Sequence, residues 1–135
     1  MSITQNASVC NSAEEKSPSA SMVGNIIPHW WYSKIVTNNG KSDTVAISLL
    51  SELWFLYRSS GEKKHQKDYS FFSKKFNLTQ FQIRSAFIRL EAIGLMQRSV
   101  GTIIVVGRKF NNTLFVELNV KKLLSLAPGF EWSPT

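Results

Sequence analysis

The stretch FFSKKFNLTQFQIRSAFIRLEAIGLMQRS, Phe71 to Ser99, decides how the rest of the chain is read. Ser70 can cap a short helix from Phe71 to Phe76, with Phe71, Phe72 and Phe76 at helical spacing and Lys74 and Lys75 facing out. Asn77 suits the left-handed conformation that ends a helix where Gly is absent. Leu78 then turns back into the core. Thr79 and Gln82 form a capping box, so a second helix starts at Gln80 and runs to about Ile93. Ile83, Ala86, Phe87, Leu90 and Ile93 are its expected buried stripe. Gly94 suits its C-terminus, and Leu95 can close a Schellman contact. These signals define a sharp helix-turn-helix corner.

Charge is concentrated around that corner. The chain has 135 residues and a formal net charge of +7. Arg58 to Lys109 holds 11 Lys and Arg against 3 acids, a net of +8, and the remainder holds 5 against 6, a net of −1. A basic domain of this kind is drawn to polyanions such as nucleic acid. A hydrophobic fraction of 43% supports a real core. The single cysteine, Cys10, excludes an intramolecular disulfide and points to a reducing cytoplasm. No apolar run suggests a signal peptide or a membrane span.

Outward from the corner, residues 1–24 are rich in Ser, Ala and Asn and read as a disordered tail. A domain over 25–127 follows, with a short tail at 128–135. Pro28 opens a helix from about His29 to Val36, anchored by Trp30, Trp31 and Ile35. Asp43 or Ser42 caps a helix from Thr44 to about Arg58 that is apolar most of the way round, hence central. SSGEKKHQKD, residues 59–68, reads as a solvated loop. Beyond Gly94 the pattern changes to strands, Met96–Val100, Thr102–Val106 and Thr113–Leu118. Gly101 is either a tight turn or a bulge. GRKFNN, residues 107–112, is a basic loop. Asn119 caps a last helix to Leu126, stopped by Pro128.

The fold class expected is α+β, mainly helical with a C-terminal β-hairpin and a final short helix. The stretch 71–98, with RLEAIGL at 89–95 leading into the hairpin, resembles a winged helix-turn-helix domain. IPHWWYSKI, AISLLSELWFLYRS and LFVELNVKKLL are similar to segments of the winged-helix domains of plasmid and phage replication proteins. The resemblance implies a cytoplasmic protein that binds double-stranded DNA in transcription regulation or DNA replication, nucleoid-associated if bacterial. A homodimer stays open.

The residues alone support the same placement. A helix with an exposed first turn fits the major groove, which is about 12 Å wide. On that reading Thr79, Gln80, Phe81, Gln82, Arg84, Ser85 and Arg89 face the bases or backbone. Lys74 and Lys75 lie over phosphates. Arg108 and Lys109 in the wing reach the adjacent minor groove or its phosphates. Phe81 and Ile88 lie off the buried stripe. They widen the core face, or they form an exposed apolar edge that serves thymine methyls or a protein partner. A winged-helix module that binds protein and no DNA is therefore the alternative.

Other chemistry finds no support. GKS at 40–42 lacks the Gly that a phosphate loop needs, because Ile35 stands there. His29 and His65 have no ligand pattern around them, and Glu52, Glu91 and Glu117 form no acid–base pair. The expectation is no enzyme, no metal and no cofactor.

Overall fold

The computed structural model describes residues 23–128. The expected tails, Cys10, Phe130 and Trp132 fall wholly or mostly outside them. Within them, five helices and one three-stranded antiparallel sheet make an α+β domain. The elements are α1 (Trp31–Lys34), α2 (Thr44–Ser60), β1 (Lys64–Gln66), α3 (Tyr69–Phe76), α4 (Gln80–Ala92), β2 (Met96–Val105), β3 (Arg108–Leu118) and α5 (Val120–Ser125). The sheet order is β1-β3-β2. Among the described residues, no helix is long and apolar enough to cross a membrane.

The central helix is α2, which buries Ala46, Ile47, Leu49, Leu50 and Leu53. Phe72 of α3 and Ile83, Ala86, Phe87 and Leu90 of α4 close over it, with Leu95, Met96, Val116 and Leu118 from the sheet. Phe72 and Phe87 meet edge to face at 5.1 Å between ring centroids. Such a pair adds about 0.5–1.5 kcal/mol beyond the area it buries.

The corner forms as its residues dictate. Asn77 adopts φ 55°, ψ 49°, and the Leu78 N–H donates to the Ser73 carbonyl at 3.1 Å. The Thr79 hydroxyl accepts from the Gln82 N–H at 3.1 Å, and the Gln82 side chain accepts from the Thr79 N–H at 2.9 Å. At the other end of α4, Gly94 takes φ 80°. The Leu95 and Gly94 N–H groups donate to the Leu90 and Glu91 carbonyls, the two bonds of a Schellman motif.

Several expectations need correction. The first helix is one turn only, because Ile35 is extended and Val36 bridges to Ser42. Asp68, not Ser70, caps α3, its side chain accepting from the Phe71 N–H at 2.8 Å. The helix α2 reaches Ser60 because Gly61 supplies the left-handed cap. Residues 59–68 are not all loop: Lys64, His65 and Gln66 pair with Glu117, Val116 and Phe115. Three residues with a charged side chain form an edge strand that resists further pairing.

The hairpin also differs. Met96 to Val105 is one strand with a register shift between Gly101 and Ile103, so Gly101 marks a bulge and not a turn. A Cβ at Gly101 would lie 3.2 Å from the Phe115 ring, which explains the missing side chain. The turn falls at Val106 and Gly107, with φ 50° and 77°, the two left-handed residues of a tight hairpin. Residues 108–112 are therefore strand and not loop. On α4, Ala92 is the last helical residue, and Ile93 is exposed, not part of the buried stripe. Leu95 takes the buried place beyond it.

Thr79→Ala removes one half of the capping box. It should lower unfolding free energy by about 1 kcal/mol in urea titration, with Thr79→Ser close to wild type.

Candidate functional site

The helix α4 has two unlike sides. At about 100° per residue, Phe81, Ser85, Ile88 and Ala92 fall directly opposite the buried Ile83, Ala86, Phe87 and Leu90. Phe81 is 76% exposed and Ile88 53% exposed. They do not widen the core face. Gln80 and Arg84 flank this outer strip on one side, and Gln82 and Arg89 on the other.

The basic residues divide into those that are occupied and those that are not. Arg89 donates from Nε to Asp43 Oδ2 at 2.6 Å and from Nη2 to Oδ1 at 3.1 Å. Asp43 is buried and also caps α2, accepting from the Ala46 N–H at 3.2 Å. Lys75 lies 3.0 Å from Glu52, whose side chain is 1% exposed. Asn25 donates to the same Glu52 oxygen at 2.9 Å. A third pair joins Arg98 to Glu91 at 2.7 Å. Among the described residues, the other eight Lys and Arg of the 58–109 segment make no salt bridge.

Among the described residues, Arg84 has no counter-ion. Its guanidinium stands 4.8 Å from the centre of the Tyr69 ring. The Tyr69 hydroxyl accepts from Arg98 Nη1 at 2.9 Å, and its ring lies 6.2 Å from Phe87. Tyr69 thus connects α3, α4 and β2 and presents Arg84 as an ordered, charged group. Cation–π contact of this kind contributes about 0.5–1 kcal/mol at an exposed site.

Lys74 is exposed in the last turn of α3, and Gln80 is exposed at the first residue of α4. Thr79 and Gln82 are committed to the capping box, which engages the Gln82 side-chain oxygen. Gln80 makes no side-chain hydrogen bond among the described residues. Ser85 is half-buried. Arg108 and Lys109 stand at the other end of the hairpin, paired with Val105 and Ile104. Only residues 115–117 of β3 are covered by β1, so the far part of the hairpin is a two-stranded ribbon. Its tip mixes these two exposed cations with exposed apolar residues, Val106 at 96% exposure and Ile104 and Phe110.

Sequence reasoning placed Asp43 only as a cap and missed Glu52 and Tyr69. Glu52 did carry a signal: a carboxylate in a helix apolar on nearly all sides must find a partner or cost several kcal/mol. Tyr69 carried none, because its contacts come from residues distant in the chain.

Arg98 holds the Glu91 carboxyl below the usual carboxylate range, chiefly by side-chain hydrogen bonding and also by donating its backbone N–H at 2.8 Å. The same bond raises the Arg98 guanidinium. No group of three His, Cys, Asp or Glu suited to a metal ion occurs among the described residues. No known family model, no curated protein and no solved structure gives a significant match to this chain.

Two outcomes follow from the pairings. Arg89→Ala strands the buried Asp43 carboxylate and should cost about 1–3 kcal/mol in chemical denaturation, whereas Arg84→Ala should cost under about 1 kcal/mol. Glu91 stabilises the fold above its unfolded-state pKa, about 4.3, and that contribution is lost as pH falls through its lower folded value. Glu91→Gln should therefore show a shallower loss of stability below about pH 5. Equal acid slopes in the two proteins would contradict the Glu91–Arg98 assignment.

Proposed function

We propose that this chain is a winged helix-turn-helix protein that binds double-stranded DNA, with α4 in the major groove and the β2–β3 hairpin as the wing. One observation carries the reading. The helix that follows the capped corner turns an unpaired face outward, with Arg84 ordered on Tyr69 at its edge, inside the segment that holds the chain's excess positive charge. The element order and the three-stranded antiparallel sheet are compatible with a winged-helix arrangement, which supports the reading.

The occupied residues refine the contacts. Lys75 and Arg89 neutralise Glu52 and Asp43, so Lys74 and Arg84 are the stronger candidates for phosphate and base contact. Arg84 can pair with guanine or bind phosphate; Arg108 and Lys109 supply the wing. Regulation of transcription or an accessory role in replication both fit such a protein.

A second reading, a module that binds protein and no DNA, is favoured by the exposure of Phe81 at the centre of the outer face.

Fluorescence anisotropy with a mixed-sequence duplex tests the two. With about 6 phosphate contacts, affinity should fall roughly a thousandfold between 50 and 200 mM salt. Lys74→Ala combined with Arg84→Ala should weaken binding at least about tenfold and change stability by less than about 1 kcal/mol. If the double variant binds as wild type does, α4 is not the reading helix. A wild type that binds no duplex at low salt rules out the DNA reading.

A further inference from the structure

The strip of α4 that faces directly away from the core is apolar at its centre, and charge is confined to its margins. Helices on a domain surface usually show the reverse, with polar residues opposite the core. Phe81 sits in the first turn, where a helix set in the major groove comes closest to the base edges. Ile88 lies two turns further along the same strip.

Resting on the DNA reading above, we propose that Phe81 and Ile88 form a dry strip that packs against thymine 5-methyl groups, and that Gln80 pairs with adenine beside it. In the major groove the only apolar group a base pair presents is the thymine methyl. An exposed Phe can gain from burying that methyl and gains nothing from a G·C edge. The amide of Gln80 suits adenine, which offers an acceptor at N7 and a donor at N6. Of the two glutamines in the first turn, Gln80 has no side-chain hydrogen bond among the described residues. The oxygen of Gln82 is engaged by the Thr79 N–H at 2.9 Å. The first turn is thus a reader of A·T pairs, and the Arg84 edge supplies charge. Counter-charge also favours DNA over a second copy of the chain as the occupant. Two copies set strip to strip would bring together the Arg84 edges, which have no acid partner among the described residues.

The strip can be isolated from the backbone contacts by removing only the methyl groups. A duplex selected by the wild-type protein from a random pool is remade with deoxyuridine for thymidine, singly and throughout. Binding is followed by anisotropy with wild type and with Phe81→Ser, whose fold is checked by circular dichroism. Deoxyuridine at one or two positions of the site should weaken wild type about 3- to 10-fold. It should leave the already weakened Phe81→Ser unchanged. Undiminished wild-type binding to the fully substituted duplex overturns the methyl assignment and leaves the DNA reading standing. If wild type binds no duplex, the DNA reading itself fails. Sedimentation of wild type against Phe81→Ser then shows whether the strip joins two copies of the chain instead, an outcome that also overturns the proposal.

Discussion

Two buried carboxylates on the central helix govern how everything else is arranged. Asp43 and Glu52 are almost without solvent contact, and each receives its balancing charge from a different helix. Burying an uncompensated carboxylate costs several kcal/mol, so neither α3 nor α4 can shift without exposing that penalty. Asp43 does more than one job. It caps α2, pairs with Arg89 of α4, and donates its own N–H to the Ile35 carbonyl at 2.9 Å. Glu52 joins α2 to α3 through Lys75 and to the preceding segment through Asn25. The two helices of the corner are thereby set in position on α2 by charge pairs, with apolar packing around them.

This arrangement separates residues that hold the corner from residues that it displays. Thr79, Gln82, Lys75 and Arg89 are consumed in shaping it. Gln80, Phe81, Arg84, Ile88 and Lys74 are left on its surface. Sequence alone could not make that division, because a lysine that neutralises a buried acid and one that faces solvent look identical in a basic stretch. Tyr69 works between the two groups, since its ring stacks on Arg84 while its hydroxyl accepts from Arg98, which is itself fixed by Glu91.

What could be read from the sequence was what is local. The left-handed Asn77, the Thr79–Gln82 box and the Gly94–Leu95 ending each involve partners within five or six residues. Their chemistry fixes the geometry almost regardless of the rest of the chain. The features not read are those made by distance. Arg89 and Asp43 are 46 positions apart. The strand β1 exists only because β3 arrives beside it, and a Lys-His-Gln tripeptide has no strand signal of its own. The loop expected at 107–112 is instead a two-residue turn at Val106 and Gly107, because Val106 accepts a positive φ that its β-branched side chain disfavours. Phe81 and Ile88 were open to either reading because apolar residues at helical spacing report a face and not the direction it points.

That direction is fixed by three constraints on α4. Its N-terminus is held by the capping box, its middle by the Arg89–Asp43 pair, and its C-terminus by the Schellman bonds that lead into β2. Asn119 reinforces the last of these, donating to the Gly94 carbonyl at 3.0 Å. A rotation of α4 by one residue would move Phe81 towards burial, but it would break the Arg89 pair and the box together. The outward strip is therefore not a loosely placed edge of the core. An exposed apolar face invites self-association, and the net positive charge around it opposes that. The fold thus holds an exposed strip that is fixed in direction and apolar at its centre, with positive charge at its margins.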